Sequence, residues 1–290
     1  MRTARLGVIG GSGLYQMDGL TQIEEVTLTT QFGAPSDVMT LGMLGGTPIA
    51  FLPRHGRGHR LSPTEVPALA NIAALKSLGV EWILSVSAVG SLREEYAPLH
   101  LVLPDQLIDR TKSRPNSFFS GGMVAHVGFA DPFCPATCDR LEAALRELGD
   151  IPYHRGGTYV CIEGPQFSTK AESRLYRQWG CDIIGMTALP EAKLAREAEI
   201  CYATIACVTD YDVWHASEEA VSLEMVTANL TRNAANAQRI IRAVAAQLPA
   251  GRSAATCGCD HALANAIITD PAHMTPELHE KYELLLGKYL

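Results

Sequence analysis

Two aspartates, Asp210 and Asp212, follow the apolar run of residues 200–208. Such a run predicts a buried strand, and side chains two residues apart on a strand point to the same face. We therefore expect two carboxyl groups side by side at the end of this strand. Carboxylates that lie this close repel each other, which raises a pKa and keeps a proton on the pair. A simpler interpretation is that they cap the strand or bond the backbone of the following turn.

A carboxyl pair that shares a proton has the chemistry to recognise adenine. Adenine presents the N7 acceptor and the N6 amino donor on one edge, whereas guanine presents two acceptors, N7 and O6. A carboxylate accepts from N6 and repels O6, and a protonated carboxyl group donates to N7. Asp210 and Asp212 together therefore favour an adenine compound over a 6-oxopurine.

Four other apolar runs end in groups that could bind an anion. The turn at residues 10–13 contains Ser12 and matches neither the dinucleotide nor the P-loop glycine pattern, so it is either a plain tight turn or an anion nest. Arg54 and His55 follow a second run, and an arginine can grip phosphate bidentately while the histidine adds a donor. The remaining donors are Ser87, the Ala88 N–H and Thr187. Each signal alone is common, but together they suit inorganic phosphate.

Strands and helices alternate along the chain, which predicts an α/β sheet covered by helices. In such sheets, sites form at the carboxyl ends of strands, so these polar groups should converge on one pocket. The predicted strands are residues 5–11, 48–56, 81–91, 101–109, 157–165, 182–186 and 200–210. The predicted helices are residues 64–80, 135–148, 169–180, 190–199, 218–247 and 275–290, with Thr64 and Ser217 as caps of the first and fifth.

The composition is that of an ordinary globular chain, with 290 residues that are 47% hydrophobic and 19% charged. We expect one domain over residues 1–290, with a C-terminal extension from about residue 250 to 290. The net charge of -7 and the scattered basic residues predict no nucleic-acid partner. No signal peptide and no apolar run of ~18 residues is present, so we expect no membrane partner and a cytoplasmic location.

Two of the eight cysteines, Cys257 and Cys259, form a Cys-Gly-Cys motif near the end of the chain. A metal site would need more ligands than these two and His261, and tetrahedral zinc sites usually have wider spacing. Three interpretations remain open: a metal site, a disulfide and inert buried thiols. The thiols are the simplest, and we expect no metal site.

Nine stretches of the chain, within residues 5–247, occur in the order found in one enzyme family. They are GVIGGSGLY, LPRHGRGH, ANIAALKSLGV, GSLREE, IDRTKSRPNSFF, DPFCP, CIEGPQFSTKAES, GMTALPEAKLAREAEICYA and TDYDVWH. On these motifs the chain resembles the purine nucleoside phosphorylase and methylthioadenosine phosphorylase family. The resemblance implies a single α/β domain with a distorted mixed sheet, assembled as a homotrimer or a dimer of trimers.

The resemblance further implies phosphorolysis of 5'-methylthioadenosine to adenine and 5-methylthioribose 1-phosphate. Asp210 would protonate N7, phosphate would attack C1', and no metal or organic cofactor would be required, since inorganic phosphate is a co-substrate. The implied phosphate-binding residues are Ser12, Arg54, His55, Ser87, Ala88 and Thr187. The implied nucleoside-binding residues are Phe167, Ser168, Met186, Asp210 and Asp212, and the implied 5' pocket has Leu223, Val226 and, from a neighbouring subunit, His126.

The chain departs from the family pattern at Gln166, where many relatives have arginine, and at Ser12 and Ser87, where threonine is common. Its Cys-Gly-Cys tail is similar to that of thermophilic members, which carry a disulfide there. Three alternatives compete with the proposed reaction. They are a phosphorylase for 6-oxopurine nucleosides, whose relatives have asparagine in place of Asp210, a hydrolase that uses water, and a nucleoside-binding scaffold without activity.

Overall fold

The computed structural model describes residues 3–11, 14, 17–215, 223–252 and 257–289, and the side chains of the long fifth helix from residue 229 onward. Within these residues, eleven strands form one mixed sheet that is flanked by six α-helices. The strands are β1 (Leu6–Gly10), β2 (Thr21–Val26), β3 (Met39–Leu44), β4 (Thr47–Pro53), β5 (Trp82–Ser91), β6 (Leu101–Leu103), β7 (Gln106–Arg110), β8 (Tyr153–Arg155), β9 (Thr158–Ile162), β10 (Ile183–Gly185) and β11 (Cys201–Asp210). The helices are α1 (Ala68–Ser77), α2 (Pro135–Leu148), α3 (Lys170–Gln178), α4 (Ala188–Glu197), α5 (Leu223–Ala246) and α6 (Pro276–Leu286).

Strand β5 organises the sheet because it has three partners. One edge of β5 pairs in parallel with β11 over most of its length. The other edge pairs in parallel with β1 over residues 82–85 and antiparallel with β10 at residues 90–91. Residues 86–89 of that edge therefore lie between two strands that separate from each other. This split confirms the predicted fold class, an α/β domain with a distorted mixed sheet.

The carboxyl ends of four strands, β1, β4, β5 and β11, lie at the same edge of the sheet. Strand β1 is parallel to β4 and to β5, and β5 is parallel to β11. Residues that follow these strands are thus brought together, as the sequence predicts. Strand β10 runs antiparallel to β5, so the residues that follow it reach the same place from the opposite direction.

The predicted element bounds hold best where capping residues are explicit. Helix α2 begins at Pro135 and ends at Leu148 as predicted, since Gly149 ends it with φ +73°. Helix α1 begins at Ala68 and not at Thr64, because Pro67 stands at its N-cap and the Thr64 hydroxyl donates to Glu163 instead. The predicted cap Ser217 lies outside the described residues.

The C-terminal segment, residues 257–289, packs on the main core. Leu263, Tyr282 and Leu286 are fully buried in it. The Tyr282 hydroxyl also hydrogen-bonds to the backbone of Phe118 and Ser120. No helix in the described part of the chain is long and apolar enough to cross a membrane.

Candidate active site

The gap beside residues 86–89 of β5 is where the predicted site residues converge. At these residues β5 pairs neither with β1, which ends its pairing at residue 85, nor with β10, which begins its pairing at residue 90. Arg54, which follows β4, reaches into this gap and donates from Nη1 to the Val86 carbonyl. We call this break in the middle of the sheet the recess; it is bordered by strand ends and by β5 backbone that pairs with neither β1 nor β10.

Arg54 is 3% exposed, and its charge is balanced by the buried carboxylate of Glu191. Its Nε and Nη2 donate to the two oxygens of Glu191, and Nη2 also donates to Ser85 Oγ at 2.6 Å. Burial opposes the charge, but Glu191 keeps the pKa of Arg54 above its ordinary value. Because Glu191 occupies the Nε–Nη2 edge, that edge is not available for a bidentate grip on phosphate. The Nη1 side is the part of Arg54 that faces the recess.

His55 is neutral at physiological pH and is orientated by the backbone. Burial, with the neighbouring Arg54 charge, lowers its pKa to about 4. Its Nδ1 lies 2.8 Å from the Leu61 carbonyl oxygen, which can only accept, so Nδ1 carries the proton. Nε2 is then an acceptor, and the expectation that His55 supplies a donor is wrong for the neutral ring. It can instead accept from a P–OH group.

Three buried hydroxyls meet where β9, β10 and β5 approach each other. Ser87, Tyr159 and Thr187 each have a buried hydroxyl oxygen with no hydrogen-bond partner among the described residues. They lie close together, because the Ser87 and Thr187 hydroxyls are both near enough to the Tyr159 hydroxyl to lower its pKa. Burial is the larger effect and raises the pKa of Tyr159 above its ordinary value. Buried polar groups are normally paired. These three hydroxyls neighbour one another but make no hydrogen bond of normal geometry among the described residues, so the cluster could bind a polar ligand.

Asp210 and Asp212 flank the same glycine but do not share a strand face. Strand β11 ends at Asp210, and Asp212 lies in the following turn with φ +52°. The strand thus ends at residue 210, as predicted, and only the expectation that a shared strand face places Asp212 beside Asp210 is wrong. The two still come together, because a Cβ on Gly90 would lie 3.0 Å from Asp210 Oδ1 and 3.3 Å from Asp212 Cβ. Only a residue without a side chain leaves room for both aspartates.

The pKa of each aspartate is raised, and burial is the main cause for both. The charge of Asp210 contributes less to the raised pKa of Asp212, so the repulsion predicted from the sequence acts in the right direction but is secondary. Asp210 Oδ2 accepts from the Thr209 hydroxyl at 2.6 Å, and Oδ1 accepts from the Asp212 N–H at 2.9 Å. Asp212 Oδ2 is buried and makes no hydrogen bond of normal geometry in the described part of the chain, although the Ser173 hydroxyl is near enough to oppose the rise in its pKa.

Helix α5 holds the end of β11 in place through two amide side chains. Asn229 Nδ2 donates to the Thr209 carbonyl at 2.8 Å, and Asn233 Nδ2 donates to the Val208 carbonyl at 3.1 Å. These bonds lie where the pairing of β11 with β5 shifts register between Val208 and Asp210. The irregular strand end is thereby fixed, and with it the direction of the Asp210 carboxyl group.

Met186 lies between a glycine and an arginine that fix its position. Gly164 has φ +67°, and a Cβ there would come within 2.5 Å of the Met186 sulfur. Arg114 is buried and donates to the carbonyl oxygens of Met186 and Leu189, and to that of Glu163. Arg114 thus ties the end of β9 to the segment after β10, which carries both Met186 and Thr187.

The other predicted residues are placed as follows. Ala88 is exposed on β5, Phe167 is 54% exposed, and Ser168 is buried with an unpaired hydroxyl among the described residues. His126 is exposed, and its N–H donates to the Ala266 carbonyl of the C-terminal segment. Three predicted positions are untested. Ser12 lies outside the described residues, and so do the side chains of Leu223 and Val226.

The sequence analysis missed Glu191, Tyr159 and Arg114, all of which shape the recess. The buried Glu191 in α4 looks like any charged helix position, and Tyr159 like any core aromatic. Arg114 follows β7 in a polar loop. A signal was available only for Glu191, because a buried Arg54 needs a carboxylate partner.

Comparison with known proteins shows the family of the chain. The model of the phosphorylase superfamily matches residues 5–246. The chain belongs to the phosphorylase superfamily. It is 57% identical to the S-methyl-5'-thioadenosine phosphorylase of Gloeobacter violaceus, over 99% of this chain and 96% of that protein. It is 56% identical to the protein of the same name from Thermosynechococcus vestitus, over 99% and 100%.

Solved structures show the same similarity. A methylthioadenosine phosphorylase from an Antarctic soil metagenomic library has a TM-score of 0.93 and 51% identity, covering 98% of this chain and 99% of that one. The methylthioadenosine phosphorylase of Schistosoma mansoni, in complex with adenine, has a TM-score of 0.85 and 36% identity, covering 90% and 97%.

Proposed function

We propose that the chain is a pentosyltransferase that cleaves 5'-methylthioadenosine with phosphate, giving adenine and 5-methylthioribose 1-phosphate. The relatives that it matches over nearly their whole length carry the corresponding name. The observation that carries the proposal is the buried carboxyl of Asp210, with a raised pKa, at the end of β11 and next to the recess. An aspartate at this position favours a 6-aminopurine over a 6-oxopurine.

Asp210 is the general acid in this proposal. As the C1'–N9 bond lengthens, electrons move onto the purine, and N7 takes the proton from Asp210. The Thr209 hydroxyl also lies 3.2 Å from the Val89 carbonyl, so it can turn to donate there when Asp210 is protonated, which leaves the acidic proton for N7. Asp212 Oδ2, buried without a partner among the described residues, accepts from the N6 amino group. A positioned acid contributes about 10²–10⁴ in rate.

Phosphate is held in the recess and attacks C1' from below the ribose. The hydroxyls of Ser87 and Thr187 donate to its oxygens, and Arg54 adds one donor from Nη1. His55 Nε2 accepts a hydrogen bond from its P–OH group. Glu191 balances most of the Arg54 charge, so the site orientates phosphate more than it attracts it. Met186 lies along the ribose. These groups supply the chemistry without a metal or organic cofactor.

The active assembly in this proposal is a cytoplasmic homotrimer. The exposed His126 is presented to a neighbouring copy, where it completes a 5' pocket with Leu223 and Val226. Light scattering during size-exclusion chromatography gives the assembly mass directly. A monomer with full activity would contradict this part of the proposal.

The experiment that tests the reaction is release of free base from 5'-methylthioadenosine, adenosine and inosine, each with and without phosphate. Adenine from the thionucleoside, released only with phosphate, is the expected result. Release without phosphate would indicate a hydrolase. A preference for inosine would contradict the recognition of adenine by Asp210 and Asp212, and no release from any nucleoside would indicate a binding protein.

A further inference from the structure

Four cysteines that are distant in sequence gather at one place in the fold. Cys134 stands at the N-cap of α2, Cys201 begins β11, and Cys257 and Cys259 come from the C-terminal segment. Their four sulfurs all lie within 4.8 Å of one another. The described cluster lies apart from the recess, since Cys201 is at the opposite end of β11 from Asp210. The proposed reaction gives it no role.

The shape of the cluster is that of a four-ligand site. A tetrahedral zinc ion with Zn–S bonds of about 2.3 Å has its sulfurs about 3.8 Å apart. Cys201 Sγ and Cys257 Sγ are 3.5 Å apart, and every other pair of the four is within 4.8 Å. Disulfides would require two close pairs only, and would leave the distance between the pairs unconstrained. Here all four sulfurs converge on one centre.

The surroundings of Cys134 favour a thiolate. Cys134 stands at the N-cap of α2, its sulfur is within 4.8 Å of the other three sulfurs, and Thr137 lies in the first turn of the same helix. Helix N-termini stabilise thiolates in this way. The Thr137 hydroxyl is buried and has no hydrogen-bond partner of normal geometry among the described residues, so it is free to donate to a metal-bound sulfur.

We propose that Cys134, Cys201, Cys257 and Cys259 bind one structural zinc ion, or another thiophilic divalent ion that accepts tetrahedral sulfur ligands. Each thiol loses its proton to solvent when the ion binds, and no electron is transferred. All four positions are filled by protein, which is the arrangement of a structural site and not of a catalytic one. The ion ties the C-terminal segment to the start of α2 and to the first residue of β11.

The test uses the full chain, reduced and stripped of metal with a chelator, then titrated with Co²⁺ followed by Zn²⁺. Uptake of one ion per chain is expected, with the sulfur-to-cobalt charge-transfer bands and the visible bands of tetrahedral cobalt, and with loss of both on addition of zinc. Elemental analysis of the protein before stripping gives the native occupancy. A melting temperature that rises with bound zinc is expected as well.

Cys257→Ser is the test variant, because Cys257 is the most accessible of the four and its replacement should be tolerated by the fold. Cys138→Ala is the matched control, since Cys138 is buried one turn further along α2 and lies outside the cluster. Changes next to a metal ligand already cost 10–100-fold in affinity, so loss of a ligand should cost about 100-fold or more. The control should bind like the wild type.

Three results would overturn the proposal. The first is a reduced wild-type chain that takes up neither ion. The second is equal uptake by Cys257→Ser and wild type, which would place the metal elsewhere. The third is a freshly isolated, alkylated protein in which mass spectrometry finds these four cysteines joined as disulfides. Because the cobalt spectrum is measured on the wild type, the test stands even if the variant does not fold.

Discussion

Replacing Asp210 with asparagine removes the acidic proton of the carboxyl group and keeps the size and shape of the side chain. In the Asp210→Asn variant, the side-chain amide oxygen can still accept from the Asp212 N–H, as Oδ1 does in the wild type. The Thr209 hydroxyl, which donates to Asp210 Oδ2, can turn to the Val89 carbonyl 3.2 Å away and accept from the new amide. The fold should therefore be retained. What disappears is the acid that delivers a proton to N7.

The expected loss follows from the rate contribution of a positioned general acid, which is about 10²–10⁴. At 1.36 kcal/mol per decade, this is about 3–5 kcal/mol of transition-state stabilisation. We expect kcat for 5'-methylthioadenosine at saturating phosphate to fall by that factor, with little change in melting temperature. The wild-type kcat should also decline as pH rises and Asp210 loses its proton, and the variant should lose that dependence.

The assay is adenine release followed by chromatography, across a pH series, for both proteins. Asp150→Asn is the control, because Asp150 is exposed and paired with Arg239 away from the recess. A kcat within about threefold of the wild type, with the same pH dependence, would refute the role of Asp210 as acid.

Three further predictions concern residues around the recess. Gly90→Ala should lower kcat more than melting temperature, because its Cβ would lie 3.0 Å from Asp210 Oδ1; steady-state kinetics and thermal melting compare the two. Glu191→Gln should destabilise the fold by about 3–5 kcal/mol in urea unfolding, because it leaves the buried charge of Arg54 without its carboxylate. The pKa of His55 is about 6.5 in the unfolded chain and about 4 in the folded protein, so the unfolded chain binds a proton first as the pH falls. The contribution of His55 to the free energy of unfolding is therefore fully present above pH 6.5 and is lost as the pH falls through 4. His55→Asn should therefore lose less unfolding free energy between pH 7 and pH 4, by about 3 kcal/mol at most.

Two of these variants, Gly90→Ala and Glu191→Gln, have a matched control in the chain. Gly128→Ala adds a Cβ with no atom within 4 Å, so it should leave kcat unchanged. Glu197→Gln alters another buried glutamate, one that accepts from the Ser117 hydroxyl and the Phe118 N–H and not from a buried guanidinium. It should cost less than Glu191→Gln. Equal effects of variant and control would show that these local contacts do not determine the outcome. For His55, unfolding free energies that fall equally in both proteins would contradict its low pKa.

Much of the fold and many site residues follow from the sequence, because strand ends carry local signals. Asp210, Arg54 and Thr187 are each visible as polar groups after an apolar run, and a parallel sheet brings such groups together. The strands β2, β3 and β8 were not predicted, since β2 is mostly exposed or half-buried and β8 has three residues of intermediate burial. Pairing, and not their own pattern, makes β2 and β8 strands, whereas β3 is almost fully buried.

The rest depends on contacts between distant residues. Glu191 reaches Arg54 from a position 137 residues away in the chain, and no local pattern pairs them. Cys201 and Cys257 are 56 residues apart, so the Cys-Gly-Cys motif alone could not reveal a four-sulfur cluster. The turn at Asp212 has a left-handed backbone that an aspartate adopts more readily than most residues, but nothing in its sequence requires it.

The central place of β11 also has a consequence for how the chain folds during synthesis. It is the last strand of the described chain, yet it pairs along nearly the whole length of β5, which is made more than a hundred residues earlier. Contacts between such distant residues slow folding. Until residue 210 has left the ribosome, β5 keeps an uncovered edge with unpaired backbone groups, which is a site for wrong pairing with other chains. The proposed acid therefore takes its place only when the sheet closes, so a chain stopped before β11 should have neither activity nor a complete core.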